Sequence, residues 1–215
     1  MVFSNSTWVC DHAKLDIMLI NKYGMKARPL LTLIIDSYSR CIMGLHIGYD
    51  DAPSHEVNVL ALRHAVLPKN YKLQFKLHSD WNTYGTPKNL LMDRGFVSSK
   101  QLKNICNCLG ITLNWHNFPC EGSSIERAFR IIDRDFLAHR IGYLDSNIQQ
   151  LFESAKKEPC WTTEEFHRLL VSYIADDYNQ TIDVPSGNQT RFQRWQADLR
   201  HPPTLVSERE FDAYL

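Results

Sequence analysis

Residues 29–36, P-L-L-T-L-I-I-D, are apolar at odd and even positions alike. A strand of that composition carries apolar side chains on both faces, so it belongs in the middle of a sheet covered on both sides. It needs a neighbour along each edge. Residues 8–20 read as one strand, and Asn21-Lys22-Tyr23-Gly24 supplies the turn residues that follow it. Asp36-Ser37-Tyr38-Ser39-Arg40 is a tight connection into a third strand over 41–49. Three strands joined by short turns form an antiparallel meander.

The apolar period then changes from two to about 3.6. Ser54 caps a helix to about Leu67, with Val57, Leu60, Ala61, His64 and Ala65 at helical spacing and Pro68 ending it. Residues 69–87 read as an irregular insertion that mixes turn residues with aromatics such as Trp81 and Tyr84. Leu90-Leu91-Met92-Asp93 is a short buried strand, and Ser98 or Ser99 caps a helix to Leu109 that Gly110 closes. A strand over 111–115, a loop over 117–122 and a long helix from about 123 to 139 follow. A meander followed by two strand–helix alternations gives an α/β (α+β) chain: a mixed five-stranded sheet with helices on both faces. Helices over 162–179 and around 191–199 come after it, and His201-Pro202-Pro203 reads as a linker.

Composition excludes several classes. With 44% hydrophobic and 22% charged residues over 215 positions, the chain is neither disordered nor fibrous and can bury a core. No apolar run approaches the ~18 residues that a membrane span needs, and the first residues lack the basic and apolar regions of a signal peptide. The six cysteines, at 10, 41, 106, 108, 120 and 160, have no zinc or redox spacing and read as reduced cytosolic thiols. Lys plus Arg equals Asp plus Glu, 24 against 24. A domain living by phosphate contacts usually carries a basic excess, so composition argues against an autonomous nucleic-acid binder.

Three carboxylates stand in apolar settings. Alternation along the first strand places Val9, Asp11, Ala13, Leu15, Ile17 and Leu19 on one face, where Asp11 is the sole charge. A carboxylate there needs a metal, a cation or strong hydrogen bonds; a structural pair with an arginine is the simpler alternative. Asp93 closes a short apolar strand, where either a functional group or a turn aspartate fits. Glu126 lies beside the stripe Ile125, Phe129, Ile132 and Phe136, although Ser123 three residues earlier makes it equally a capping-box glutamate. Taken together, two strands and a helix supply oxygen-only ligands. Such ligands suit two Mg2+ ions, or Mn2+ in their place, acting on phosphorus.

The segments W-V-C-D-H, T-L-I-I-D-S-Y-S-R-C-I-M-G, L-L-M-D-R-G and E-G-S-S-I-E-R-A-F resemble the catalytic core of DDE transposases and retroviral-type integrases. The Mu/TnsB/TniA branch of bacterial transposases is the nearest in pattern. A-L-R-H-A-V-L-P-K and the late Y-N-Q and Q-T-R-F-Q-R-W look like that branch too, so the resemblance covers about residues 8–200. It implies a ribonuclease H-like core over 1–200, with 201–215 as a linker toward a further C-terminal domain. It also implies that Asp11, Asp93 and Glu126 are the catalytic, metal-holding carboxylates. Their intervals are 82 and 33 residues (93 − 11 and 126 − 93), the first lengthened by the insertion at 69–87. One departure is plain: the family's D-x-G-x-x-F appears here as Asp93-Arg94-Gly95-Phe96-Val97, with the aromatic early.

The activity implied is cleavage at transposon ends, followed by transfer of the freed 3′-hydroxyl strand into target DNA. The implied partners are both DNAs, further copies of the chain and an AAA+ ATPase that selects targets, in a bacterial cytoplasm at the nucleoid. Arg127, Arg130 and Arg134, at helical spacing beside Glu126, and more weakly Lys100 and Lys103, are candidate phosphate contacts; a solvated face paired with Asp133 and Asp135 is the alternative. Trp115, Asn117 and Phe118 precede the same helix and are candidates to contact a distorted base, with a core role for Trp115 as the alternative. Asp36 at its turn, Asp16 on the polar face, and His12 and His116 are expected to be structural or superficial. Two other readings stay open: a ribonuclease H-like nuclease that hydrolyses without joining, and a catalytically decayed assembly module.

Overall fold

The strand expected at the centre is buried at every position. In the computed structural model, which describes residues 3–49, 55–93, 100–116, 124–144, 160–183 and 187–214, β4 (Leu30–Asp36) shows no exposed or half-exposed residue. Each fully buried Leu or Ile there contributes roughly 1.5–3 kcal/mol. β4 pairs antiparallel with β1 (Thr7–Lys14) on one edge and with β5 (Ile42–Gly48) on the other. On its far edge β1 runs parallel to β6 (Asn89–Asp93), which runs parallel to β7 (Thr112–His116). The sheet order is β5-β4-β1-β6-β7, the mixed five-stranded sheet read from the sequence.

The first strand is shorter than its pattern. Alternation predicts one strand over 8–20, but β1 ends at Lys14, opposite Leu30. The next partner is Pro29, which has no N–H to continue the ladder. The Leu15 amide donates to the Pro29 carbonyl at 2.9 Å, and the Arg28 Nε–H donates to the Leu15 carbonyl at 3.0 Å. The chain then leaves the sheet for a two-stranded hairpin, β2 (Leu19–Ile20) with β3 (Lys26–Ala27). Asp16 therefore lies off the strand, in an ion pair with Arg28.

Helices cover both faces. On one lie α1 (His55–Val66) and α3 (Lys100–Cys108), whose Val59, Leu62, Ala65, Leu102 and Ile105 bury Trp8, Cys10, Ile34, Met43, Leu90 and Met92. On the other lie α4 (Ser124–Asp135) and α5 (Thr163–Tyr173), burying Val9, Leu31, Leu33, Ile35 and Ile42. The insertion is mostly irregular, with one short helix, α2 (Tyr71–Phe75). A capping box opens α5: Thr162 accepts from the Glu165 amide while Glu165 accepts from the Thr162 amide. The helix read over 162–179 is not uniform, because Ile174–Tyr178 widens into a π turn. That turn leads into Asn179, whose side chain bonds both the amide and the carbonyl of Ile42 at 3.0 and 3.3 Å.

α6 (Arg191–Ala197) and α7 (Glu208–Asp212) close the described chain. Beyond α6 the chain lies against the core rather than apart from it, through Val206 and Phe211, both buried. Arg63 of α1 binds Asp212 at 2.7 Å.

α1 crosses β5 with the two backbones touching. A Cβ added at Gly44 would lie 2.5 Å from the Ala65 amide nitrogen and 2.6 Å from its Cα. Gly44→Ala must push the helix off the sheet, and a loss of about 1–3 kcal/mol is expected in urea unfolding. A second test concerns His64. Its Nδ1 accepts the Leu45 amide at 3.1 Å and its Nε2 lies 2.9 Å from the Tyr71 hydroxyl, so the ring is held neutral with the proton on Nε2. Burial first, and then the charge of Lys69, push its pKa well below the ordinary value. The unfolded state thus takes up a proton near pH ~6.5 while the folded state does not. This contribution is whole above that pH and is lost as the pH falls toward the folded pKa. The urea midpoint should drop between pH 7.5 and 5.5, and His64→Asn should reduce the drop while lowering stability at pH 7.5.

Candidate active site

The parallel pairing of β1 with β6 assembles the candidate site. Cys10 is registered against Met92 in the last pair of that ladder, and Asp11 and Asp93 are the next residue along each strand. Asp93 is the last residue of β6 and is registered against His116, the last residue of β7. Trp8 and Cys10 belong to the core under α1 and α3, whereas Val9 packs with Ile125, Ala128 and Ile132 of α4. Strand alternation therefore turns Asp11 to the α4 side, and Leu91 of β6 is packed against that same cluster. The side chain of Asp93 lies outside the described residues, as do Arg94 to Ser99.

α4 supplies the third carboxylate. Ile125, Ala128 and Ile132, at helical spacing, are its buried stripe, and Glu126 in its first turn is half-buried beside them. An acid there is favoured by the helix dipole; Ser123, the expected cap, is outside the described residues. Asp11 is also half-buried, and its Oδ1 accepts the amide of the following residue, His12, at 2.7 Å. Among the described side chains no three His, Cys, Asp or Glu are grouped to hold a metal ion, and position 93 is not among those side chains.

The candidate basic residues divide. Arg127 and Arg130 are exposed on α4. Arg134, also exposed, is engaged by Asp135, with Nη2 to Oδ2 at 2.9 Å, which is the solvated pairing that competes with a phosphate role. Lys100 and Lys103 are exposed on α3, and Lys103 lines a groove of about 550 Å3 along β7 with the half-buried Trp115. Trp115 also packs against the core under α3. Asn117, Phe118 and the side chain of His116 lie outside the described residues.

Two of the acids and histidines expected to be structural are so. His12 turns to the opposite face, with Nδ1 2.7 Å from the Thr32 hydroxyl. Burial lowers its pKa to about 4 against the opposing hydrogen bond of Asn58, so it is a neutral structural ring at neutral pH. Asp36 is fully buried and accepts the Asn5 amide at 2.9 Å, the Ser39 amide at 2.7 Å and the Ser39 hydroxyl at 2.6 Å. Sequence reasoning missed Asn5 itself, which takes a left-handed φ of 61°. Its Oδ1 accepts both Trp8 Nε1 at 3.1 Å and Trp195 Nε1 at 2.9 Å. β1 and α6 are thereby tied to one amide side chain, and the β4–β5 turn to the backbone amide of the same residue, and no local pattern announces it.

Residues 9–142, more than half of the chain and spanning Asp11, Asp93 and Glu126, match the family described as the TnsB C-terminal domain. The chain belongs to that family. This TnsB-type core is 28% identical over 214 residues to the transposase for transposon Tn552 of Staphylococcus aureus, covering 98% of the chain and 41% of that protein. Against the transposon Tn7 transposition protein TnsB of Escherichia coli it is 25% identical over 218 residues, covering 91% of the chain and 31% of that protein. It thus spans less than half the length of these relatives. A chain in the cryo-electron microscopy structure of the simian T-cell lymphotropic virus intasome in complex with PP2A regulatory subunit B56 gamma superposes with a TM-score of 0.54. That match covers 97% of this chain and 60% of that chain at 15% identity. The likeness is one of fold, and with the observed strand order it makes the TnsB-type core ribonuclease H-like, as its sequence resemblance implied. No helix among the described residues is long and apolar enough to cross a membrane, and no disulfide joins the described cysteines.

The contrast between the two buried-strand aspartates is testable. Asp36→Ala leaves three buried donors without an acceptor and should cost about 3 kcal/mol or more in unfolding free energy. Asp11→Asn keeps shape and hydrogen-bonding capacity and should change the melting temperature far less. Equal losses would contradict the assignment of Asp36 to the scaffold alone.

Proposed function

We propose that this chain is the catalytic core of a DDE-type transposase, with Asp11, Asp93 and Glu126 as its catalytic carboxylates. One observation carries the reading: the register Cys10↔Met92 sets the C-terminal end of β6 beside the middle of β1 while α4 packs across one face of the sheet. Asp11 and Asp93 are the residues that follow that registered pair on their two strands, and Glu126 is on the covering helix, which supports the assignment. In sheets of this kind, ligands gather beyond the carboxyl ends of parallel strands. The family match and the two transposase relatives support the same reading.

The donor set fits hard divalent cations: carboxylate oxygens from three separate elements, with His12, the neighbour of Asp11 in sequence, turned to the opposite face. Asp11, Asp93 and Glu126 would hold two Mg2+ ions, or Mn2+ in their place. When bound, such ions activate an attacking oxygen and offset the charge that builds at phosphorus. The protein's own contribution is positional. β1, paired on both edges, fixes Asp11; α4 fixes Glu126 through Ile125, Ala128 and Ile132. Arg127 and Arg130 on α4, and Lys100 and Lys103 on α3, all exposed, would hold DNA phosphates, and Arg134 would join them by exchanging Asp135 for a phosphate.

In the first step water cleaves the phosphodiester at a transposon end and leaves a 3′-hydroxyl. In the second, that 3′-oxygen bonds to a target phosphorus as the target's own 3′-oxygen departs. The number of phosphodiester bonds is unchanged by the second step, so no cofactor energy is consumed. No side-chain nucleophile takes part. The partners that go with this chemistry are end DNA, target DNA, further copies of the chain and an AAA+ ATPase, at the bacterial nucleoid.

The test is joining of a pre-cleaved end oligonucleotide to a plasmid target in Mg2+ or Mn2+. Asp11→Asn, Asp93→Asn and Glu126→Gln should each reduce joining at least ~100-fold while keeping the wild-type melting temperature. Undiminished joining in any of them would remove that residue from the site. Hydrolysis without joining by the wild type would favour a ribonuclease H-like nuclease. DNA-dependent assembly with neither activity would favour a decayed module.

A further inference from the structure

The end of the sheet opposite the carboxylates holds a second charged feature. Phe3 and Lys88 lie just before the first residues of β1 and β6, Thr7 and Asn89, so four residues of strand, ~13 Å, separate Thr7 from Asp11. There the N-terminal segment, residues 86–88 and residues 199–204 enclose a cleft of about 230 Å3, with room for a phosphate group and several waters. Arg200 lies with its guanidinium carbon 4.0 Å from the centre of the Phe3 ring, and the Lys88 ammonium is 5.1 Å from the same centre. His201 and the hydroxyl residues Thr86 and Thr204 also line the cleft, and none of its lining residues is an aspartate or glutamate.

Two properties make this more than a pair of surface cations. The walls are built rigidly: Gly85, at φ +107°, sits so close that a Cβ there would lie 2.8 Å from the Pro203 Cβ. Asn5 bonds the Tyr84 carbonyl at 3.3 Å through Nδ2 and accepts the Lys88 amide on its own carbonyl at 3.1 Å. The Pro202-Pro203 pair stiffens the third wall. The cations are also not neutralised, since neither Lys88 nor Arg200 makes an ion pair among the described residues. A guanidinium stacked by its face on a ring keeps its edge N–H groups for a planar fork on an anion. Two cations in an acid-free, walled cleft suit a phosphate oxygen pair.

We propose that this cleft binds the phosphodiester backbone of duplex DNA at a place separate from the reacting phosphodiester, through Lys88 and Arg200 on their Phe3 platform. The proposal rests on the DNA-processing reading above and adds to it a phosphate-binding site at the far pole of β1. Hydrogen bonds and ion pairs to backbone phosphate position a duplex without reading its sequence, so the site should act on any DNA.

The test is equilibrium binding of an end-free duplex of about 30 base pairs, by fluorescence anisotropy in EDTA, between ~50 and ~200 mM salt. Lys88→Gln with Arg200→Gln should weaken binding ~10-fold and flatten the slope of log K against log salt by about two, one for each phosphate that the variant no longer neutralises. The exposed lysines Lys22 and Lys76 lie outside the cleft, and replacing both by Gln removes the same charge; that pair should leave the slope nearly unchanged. Equal effects of the two pairs would overturn the proposal by reducing it to net charge. So would inorganic phosphate shifting the Phe3 and Arg200 NMR signals while the cleft pair leaves DNA affinity intact, which would assign the cleft to a free anion. Because binding is read without metal or reaction, a chain that fails to join DNA but shows the slope change fails only the catalytic reading. An active chain without the slope change fails only this one.

Discussion

β1 is paired antiparallel to β4 on one edge and parallel to β6 on the other, and each half of that arrangement has a separate consequence. The antiparallel half lets a short turn return the chain at once, so the meander closes locally and both faces of β4 can be buried early in the sequence. The parallel half demands a long crossover, supplied by α1 and the insertion, and it sets the C-terminal end of β6 beside the middle of β1. Asp11 and Asp93, far apart in sequence, become backbone neighbours for that reason alone. An antiparallel β6 would have set position 93 at the far end of β1. The direction of one strand pairing thus decides whether the family carboxylates can share a ligand.

A charge at a buried strand end is tolerated only where the surrounding structure cannot shift to exclude it. The face under α1 is one source of that rigidity: Gly44 lets helix and strand backbones touch, and Trp8, Met43, Ala65 and Met92 fill the layer. The other source is polar. Asp36 gathers three donors, Asn5 bonds two tryptophans, and Asn179 bonds both backbone groups of Ile42 at the sheet's outer edge. Each of these buried groups has at least one partner distant in sequence, so they fix the relative positions of segments that apolar packing alone would leave free to slide.

The parts legible in the sequence are those governed by local periodicity and local chemistry. The all-apolar β4, the limits of α1, the start of α5 at Thr162 and the stripe on α4 each follow from spacing within one element. Asp11 and Glu126 are legible as carboxylates out of keeping with their faces. What periodicity cannot supply is the point at which a pattern stops being a strand. Leu15, Ile17 and Leu19 are buried as their alternation suggests, yet they are buried in a bend and a hairpin, because Pro29 ends the ladder from the opposite strand. Nor can it separate Asp36 from Asp11. Both are acids on apolar strands, and the difference lies in donors brought from Asn5 and Ser39, which only the folded chain reveals.

Equal numbers of acidic and basic residues argue, as a sum, against nucleic-acid binding, and the structure explains why that sum is a poor guide. Screening confines electrostatic influence to about 8–10 Å at physiological salt, so a surface responds to its local charge and not to the total. Many acids are engaged by neighbours within the fold: Asp16 by Arg28, Asp183 by Arg40, Asp212 by Arg63, Asp135 by Arg134. Each such pair cancels locally and projects little field. Toward the first residues of β1 and β6, Lys88 and Arg200 stand in a cleft with no acid among its lining residues, away from the proposed catalytic carboxylates. If both proposals hold, the carboxylates would repel phosphate until cations were bound there, whereas Lys88 and Arg200 would attract it without them. Association with DNA would then begin where no metal is required, and the reacting pole would engage only once its counter-ions were in place.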